Sequence, residues 1–266
     1  MMKLASATVS CDGFEDTRFR ESFYWLPKIG YKHIEFNCWH PANLTPNSIR
    51  SMKRQCAEAG LSPAGLYGPY FGGGNHEEIA KDICAKIRLI DAAVELGCSR
   101  VVATGTARGQ LGGLQAIIAV LREVTPYAEQ RGVLIGLENH ANNNLETIAD
   151  YEQLFAAIDS PNVGVCIDTG HFEASGIALD DVVRRLGHKV NHLHVKDNAE
   201  FGVQRFVKFG EGTTDNVRLV EQMAALRYSG YVTVEYSVPD KSDLMRDLKV
   251  PYDMFARFEA ADACGE

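Results

Sequence analysis

The sequence lacks any run of about 20 apolar residues, which is the length that a helix needs to cross a membrane. The segment Met1–Ser10 also lacks the long apolar stretch of a secretory signal peptide. Runs of Lys or Arg interleaved with aromatic residues are absent, and a net charge of -8 repels a polyanion at long range. We therefore expect a cytoplasmic protein whose partners include neither a membrane nor a nucleic acid.

Paired cysteine motifs are absent as well. The chain has seven cysteines, an odd number, and no CxxC pair. Disulfide frameworks use even numbers of cysteines, and zinc ribbons and redox sites use CxxC. We therefore expect reduced cysteines, most of them packed in the core as small apolar groups.

Eight short β-like runs alternate with longer amphipathic runs along the 266 residues. Strands that alternate with helices predict a parallel sheet, and eight repeats in this length favour a closed barrel over an open doubly wound sheet. The sequence therefore predicts an α/β protein with a single domain, residues 1–266, folded as a (β/α)₈ TIM barrel. The predicted strands are Lys3–Thr8, His33–Asn37, Ser62–Tyr67, Arg100–Thr104, Val133–Glu138, Val163–Asp168, Val190–Lys196 and Tyr231–Tyr236.

Helical periodicity is clearest in four of the intervening segments. These are Asn47–Ala59, with Asn47 as the expected N-cap, Glu77–Leu96, Gln110–Gln130 and Thr147–Ile158. The glycine-rich segment "YFGGGNHEE" lies outside the sequence contexts of nucleotide-binding loops, so it predicts a flexible loop after the third strand.

Each of the last four predicted strands ends in a side chain that can bind a metal ion. Active sites of (β/α)₈ barrels lie at the carboxyl ends of the strands, so these side chains should meet. Carboxylates crowded at one mouth repel each other, and a cation is their natural compensation. The expected ion is one Mn²⁺, with Mg²⁺, Co²⁺ or Zn²⁺ as alternatives, because the donors are mainly hard oxygens. The expected ligands are Glu138, Asp168, His194 and Glu235.

These strand ends resemble those of the xylose isomerase-like superfamily of sugar isomerases and epimerases. The resemblance runs from "GYKHIEFN" to "GYVTVEYS" and includes "DTGH", "HLHVKD" and "GEGTTD". It implies a divalent ion on the four ligands, and it implies that Glu138 and Glu235 also move protons. It further implies that His171 contacts an oxygen atom of the substrate.

The chain departs from the ketose 3-epimerases of that superfamily at two positions. Those enzymes carry a Glu six residues after the first ligand, where this chain has Asn144, and an Arg six residues after the ligand histidine, where it has Glu200. His140 instead follows Glu138 by two residues. We consider His140 as a general base, with a loop-ordering histidine as the alternative.

Further candidates for substrate binding lie at the ends of other strands. Lys196 reaches either a substrate hydroxyl or, in a surface ion pair, the neighbouring Asp197. Aromatic side chains at a barrel mouth pack against a sugar ring, exclude water or simply pack within loops, and Glu35 lies near them. The aromatic candidates are Trp39, Tyr67 and Tyr70.

The favoured function is isomerisation or epimerisation of a keto-sugar or a related polyhydroxylated carbonyl compound through a metal-stabilised enediolate. A lyase or dehydratase acting on a keto-sugar, inosose or 3-keto-glycoside shares the same proton abstraction and is the alternative. A phosphodiester hydrolase like the apurinic endonucleases and a non-catalytic sugar-binding barrel are less favoured. The expected partner is a carbohydrate without phosphate, and a homo-oligomer or hetero-oligomer is left open.

The cysteine pattern yields a direct prediction. All seven cysteines should react as free thiols when the freshly prepared protein is denatured and titrated with a thiol reagent, because no pairing pattern is present. An intact mass lower by the hydrogens lost in an intramolecular disulfide would contradict this.

Overall fold

Eight parallel strands close into a barrel in the computed structural model, which describes residues 1–14 and 17–260. The predicted (β/α)₈ fold is thereby confirmed. Around the barrel the order is β1, β2, β3, β4, β5, β6, β7 and β10, and β10 pairs with β1 to close it. These strands are β1 (Lys3–Ala7), β2 (His33–Asn37), β3 (Ser62–Tyr67), β4 (Arg100–Thr104), β5 (Leu134–Glu138), β6 (Val163–Asp168), β7 (Val190–Val195) and β10 (Tyr231–Val234).

Helices pack around the barrel, and their apolar faces bury the strands. The helices are α1 (Val9–Asp12), α2 (Arg20–Ile29), α3 (Pro46–Ala59), α4 (His76–Leu96), α5 (Gly113–Arg131), α6 (Ile148–Ala157), α7 (Thr169–Ala174), α8 (Leu179–Leu186), α9 (Asn216–Ala225), α10 (Leu244–Phe255) and α11 (Arg257–Ala260). Two 3₁₀ turns, Pro41–Leu44 and Gly187–Lys189, and a short antiparallel pair, β8 (Asp197–Asn198) with β9 (Phe206–Val207), complete the elements.

The predicted element boundaries hold to within three residues. The Asn47 cap was wrong: Thr45 caps α3 by accepting the N–H of Ser48, and Pro46 occupies the first helical position, where its missing N–H does no harm. Strands β7 and β10 end one and two residues early. The ladder therefore stops just before Lys196 and Glu235, whose side chains project from the barrel mouth.

The barrel interior below the mouth is polar rather than aliphatic. Cys166, His192 and Thr233 are fully buried there, as the alternation of side chains along the strands predicts. The Thr233 hydroxyl lies 3.1 Å from Nε2 of His192. His192 is thus a packed, hydrogen-bonded interior histidine.

The glycine-rich loop after β3 is fastened to α4 by a buried lysine. Lys86 is 1% exposed, donates to the carbonyl of Tyr70 at 2.7 Å and pairs with Asp82. Asp82 in turn accepts the N–H of Gly72 at 2.8 Å. A Cβ on Gly72 would lie 2.6 Å from the backbone nitrogen of Ile117, so glycine is required there. The loop that was predicted to be flexible is therefore tied down.

The cysteines of the described residues are unpaired, as the sequence predicts. Cys11, Cys38, Cys56, Cys84, Cys98 and Cys166 are free, and five of them are buried. Cys264 lies outside the described residues. Among the described helices, none combines the length and apolar character that crossing a bilayer requires.

Replacing Lys86 tests how strongly this buried contact holds the loop. Lys86→Met should lower the free energy of unfolding by about 3 kcal/mol, because it leaves the Asp82 carboxylate and the Tyr70 carbonyl without their cation. Lys81→Met is the matched control: Lys81 lies on the same helix, its side chain is 71% exposed, and its loss should change stability by less than about 0.5 kcal/mol. Urea denaturation of both variants measures the difference, and equal effects would contradict the assignment.

Candidate metal centre

Four buried side chains converge at the carboxyl end of the barrel. Ligand atoms of Glu138, Asp168, His194 and Glu235 all lie within 4.8 Å of one another. Glu138 and Asp168 are the last residues of β5 and β6, His194 lies on β7, and Glu235 directly follows β10. The register places Asp168 opposite His194, so adjacent strands deliver adjacent ligands. The structure thus brings together the four side chains that the strand ends predicted.

His194 is oriented by a carboxylate beneath it. Its Nε2 lies 2.7 Å from one oxygen of Glu35, while its Nδ1 contacts Glu138 and lies 3.0 Å from Glu235. An Nε2–H that donates to Glu35 leaves the Nδ1 lone pair facing the other ligands. A carboxylate behind a ligand histidine fixes the tautomer and raises the basicity of the ring in this way.

Glu35 does not reach the barrel mouth. It is 0% exposed, and its second oxygen lies 2.7 Å from Nε2 of His192. Burial pushes the Glu35 pKa upward, but charge interactions with His194 and His192, together with hydrogen bonding to them, outweigh it and hold the pKa at about 2. Glu35 was expected to bind substrate, but its depth suits a residue that positions His194.

Lys196 lies among the carboxylates. Its Nζ is 2.6 Å from Asp168 and 3.0 Å from Glu235, and the residue is 4% exposed. The alternative considered for Lys196, a surface ion pair with Asp197, is not formed. The Asp197 carboxylate instead accepts backbone N–H groups of the loop "GEGTTD", from Gly210 at 2.8 Å and Gly212 at 3.1 Å.

The electrostatic balance of the cluster favours an added cation. Burial disfavours the ionised form of Asp168 and raises its pKa to about 6 despite the nearby Lys196 ammonium. The same ammonium and His194 outweigh burial at Glu235 and lower its pKa. The surrounding Cys166, Glu35 and Glu138 likewise outweigh burial at His194 and raise its pKa well above the usual value.

The residues present fit a divalent metal ion. Three carboxylates share a single lysine ammonium within the cluster, and they leave carboxylate oxygens that point at one another. Three oxygen donors and one imidazole form a set suited to an octahedral ion such as Mn²⁺ or Mg²⁺, and also to Co²⁺ or Zn²⁺. These donors converge without any rearrangement of the strands.

Hydrogen bonds between neighbouring strand ends hold the ligands in place. The Asn139 amide donates to the Asp168 carbonyl at 3.0 Å and accepts the Asp168 N–H at 2.7 Å. The Thr169 hydroxyl accepts the Lys196 N–H at 2.9 Å. Neither positioning residue was predicted, although Thr169 belongs to "DTGH" and Asn139 directly follows a ligand.

The glycine of "DTGH" is required by close packing. A Cβ on Gly170 would lie 2.9 Å from Cβ of Lys196 and 2.8 Å from the ring of Phe206. Any larger residue would push Lys196 away from the carboxylates. Gly170 thereby lets the lysine remain next to the ligands.

His140 and His171 form a stacked pair beside the cluster. Their ring centroids are 3.7 Å apart. Nδ1 of His140 lies 2.8 Å from the carbonyl oxygen of Ala141, so the tautomer that donates there keeps a lone pair on Nε2. Burial, Lys196 and His140 lower the pKa of His171 well below its usual value, so His171 is neutral.

Tyr67 and Trp39 connect the cluster to a cavity of about 580 Å³ that His140 also lines. The Tyr67 hydroxyl donates to the carboxylate of Glu138, and the Trp39 ring packs edge-on against Tyr67. Burial and Glu138 raise the Tyr67 pKa well above its usual value, so the hydroxyl stays protonated as a donor. Both aromatic residues line this cavity.

The two positions that differ from ketose 3-epimerases lie away from the ligands. Asn144 is 5% exposed, and its amide donates to the Thr106 hydroxyl at 2.9 Å and to the Ala107 carbonyl at 3.0 Å. Glu200 is exposed between β8 and β9. Neither side chain is placed to move a proton at the cluster.

The chain belongs to the Xylose isomerase-like TIM barrel family, whose sequence model matches residues 23–251. An inosose isomerase of Bacillus licheniformis is 23% identical over 240 residues, which cover 85% of this chain and 86% of that protein. A 3-dehydro-D-guloside 4-epimerase of Escherichia coli is 23% identical, with coverages of 81% and 86%.

Other similarities are partial or concern the fold alone. An uncharacterized protein of Methanocaldococcus jannaschii is 29% identical over 129 residues, which span 44% of this chain and 41% of that protein. A crystal structure described as the IOLI protein with a bound zinc atom superposes with a TM-score of 0.79 at 20% identity, over 97% of this chain and 99% of that one.

Substitution of the ligands tests the metal centre. The purified protein should bind about one divalent ion per chain, and Asp168→Asn or Glu235→Gln should lose it without unfolding, because the ligands lie above the core. Elemental analysis together with circular dichroism checks both points. Glu152→Gln, at a side chain that is 46% exposed on α6, is the matched control and should keep the ion.

A smaller effect on metal binding is expected for Glu35, which lies below the ligands. Glu35→Gln should weaken metal affinity by roughly 10–100-fold without abolishing it, because the residue orients His194 rather than binding the ion. Isothermal titration with Mn²⁺ measures the affinity. Unchanged metal content in both ligand variants would overturn the centre.

Proposed function

We propose that this protein is a divalent-metal-dependent isomerase or epimerase of a keto-sugar or a related polyhydroxylated carbonyl compound. The observation that carries the proposal is the buried set of three carboxylates and one imidazole at the mouth of the barrel. A cavity that His140 lines lies beside this set, and Tyr67 contacts both. The relatives named inosose isomerase and 3-dehydro-D-guloside 4-epimerase support the same chemistry.

The proposed reaction begins with removal of a proton next to a carbonyl group. A divalent cation on the four ligands would bind the carbonyl oxygen and an adjacent hydroxyl, acidify the neighbouring C–H and stabilise the negative charge that develops. Lys196 holds Asp168 and Glu235 in place from one side, and Tyr67 holds Glu138 from the other. These contacts fix the orientation of the carboxylates.

We assign the base role to His140 and keep the ligand glutamates as the alternative. Glu138 accepts the Tyr67 hydroxyl, and Glu235 is paired with Lys196, so both carboxylates are weaker bases than free ones. His140 carries a lone pair on Nε2 and lines the cavity next to Tyr67. A neutral imidazole is well matched to proton transfer near neutral pH.

The fate of the intermediate decides between two reaction types. Return of the proton to another face or carbon gives epimerisation or isomerisation. Departure of a β-leaving group gives a lyase or dehydratase after the same first step. Asn144, whose amide is engaged with Thr106 and offers no proton-transfer group, keeps the second outcome as the alternative.

Phosphodiester hydrolysis fits the site less well. The described residues contain one further group of metal-capable side chains, namely Cys166, His192 and His194. It shares His194 with the first group and is fully buried, and burial raises the Cys166 pKa so that the thiol stays protonated. A site for several ions does not result from this arrangement.

Finer features follow from the chemistry and from the sequence. We propose Mn²⁺ as the ion because the donors are mainly carboxylate oxygens, and we keep Zn²⁺, present in the IOLI structure, with Mg²⁺ and Co²⁺ as alternatives. A cytoplasmic location, an unphosphorylated carbohydrate as substrate and assembly into a homo-oligomer or hetero-oligomer stay predictions.

Replacement of His140 tests the mechanism. His140→Asn should retain the metal but slow solvent-deuterium exchange into the substrate by on the order of 100-fold or more, the scale expected for loss of a general base. Ketoses, inososes and 3-keto-glycosides are incubated in D₂O with Mn²⁺, freed of metal and examined by NMR. His188→Asn, at an exposed histidine in the turn after α8, is the matched control and should exchange at the wild-type rate. Wild-type exchange in His140→Asn would assign the base role to a ligand glutamate.

A further inference from the structure

A cavity next to the metal centre has a wall made largely of aromatic rings. We call it the aromatic annex and define it by Phe14, Trp39, Tyr67, Tyr70 and His140. Its volume of about 580 Å³ falls in the range of roughly 300–1,000 Å³ over which pockets bury drug-sized ligands. A single sugar ring held at the metal centre leaves this space largely unfilled.

Two rings of the annex are largely exposed to solvent. Phe14 and Trp39 are stacked with centroids 5.3 Å apart and an interplanar angle of 17°, so the two rings pack against each other as one apolar unit. Phe14 is 57% exposed and Tyr70 is 56% exposed. Exposed aromatic rings grouped beside a polar cluster indicate a binding surface, because covering them with a ring or an apolar group lowers the free energy.

The chemistry of the lining selects against anionic ligands. The described residues around this cavity include no Asp, Glu, Lys or Arg, and their polar groups include amides and hydroxyls such as Gln110 and Thr106. A phosphate or carboxylate in the annex would lose its hydration without gaining a cationic partner. The lining therefore suits an occupant without negative charge.

The annex adjoins the reaction site through Tyr67. The Tyr67 residue lines the cavity while its hydroxyl binds the ligand Glu138. His140, the proposed base, also lines this cavity. The annex is therefore the space into which a group attached to a reacting sugar ring can extend.

We propose that the aromatic annex binds the uncharged aromatic aglycone of a keto-glycoside whose oxidised sugar ring occupies the metal centre. This inference rests on the proposed function for the position of the sugar ring. It narrows the substrate from keto-sugars in general to glycosides with a flat, apolar substituent. Stacking on Phe14, Trp39 and Tyr70 supplies the recognition.

The test compares two glycosides that differ only in the aglycone. Trp25→Phe leaves Trp39 as the one fluorophore of its kind, since the chain has two tryptophans. The Mg²⁺-loaded variant is titrated with methyl and with phenyl 3-keto-β-D-glucoside, followed by Trp39 fluorescence. We expect the phenyl compound to bind about tenfold more tightly or better, in line with the added contacts between aromatic rings.

Two further substitutions locate the preference. Tyr70→Ala should bring the ratio of the two Kd values close to one and leave the methyl glycoside unaffected. Tyr24→Ala removes a tyrosine that is 53% exposed on α2 and should preserve the ratio. Equal Kd values, binding of neither compound, or a preference that survives Tyr70→Ala would overturn the annex.

Deuterium exchange separates this proposal from the proposed function. Exchange into the methyl compound without any preference for the phenyl compound refutes the annex and supports the function. A phenyl preference that depends on Tyr70, without exchange into either compound, supports the annex as a binding site and refutes the proton-transfer chemistry.

Discussion

Mutual repulsion among the buried carboxylates of Glu138, Asp168 and Glu235 is the constraint around which the barrel mouth is organised. Their oxygens and Nδ1 of His194 lie within 4.8 Å of one another, and Lys196 alone supplies a permanent positive charge among them. Bringing such groups together costs free energy that the fold must offset, which explains why neighbouring strand ends are tied so thoroughly. A divalent cation removes the repulsion, so metal binding and the shape of the mouth depend on each other.

The residues below the cluster and those above it have different roles. Below it, Glu35 joins His192 and His194 in a fully buried polar layer that sets the orientation of the one imidazole ligand. Above it lies the cavity beside Tyr67, which we propose as the substrate site. Tyr67 and Lys196 lie at the boundary and hold the carboxylates from opposite sides. A substitution in the lower layer should therefore change metal affinity, whereas one in the upper layer should change substrate affinity or turnover.

Strand ends were predictable because periodicity and composition mark where a buried strand stops, and parallel strands of a barrel deliver those ends to one mouth. Four ligands on four consecutive strands follow from that rule. The position of Glu35 below the mouth was not predicted, although β2 continues for two residues beyond it and so places its side chain there. Contacts between residues far apart in the sequence were harder to predict than the strand ends. Nothing local in "HLHVKD" shows that Lys196 turns to Asp168 while Asp197 gathers the N–H groups of "GEGTTD".

The most direct test of the central claim is anomalous diffraction from crystals soaked in Mn²⁺, with data collected on both sides of the manganese absorption edge. The account predicts one strong peak per chain within roughly 2–2.5 Å of carboxylate oxygens of Glu138, Asp168 and Glu235 and of Nδ1 of His194. A peak next to Cys166 and His192 instead, or no peak at the barrel mouth in crystals that hold manganese elsewhere, would contradict it.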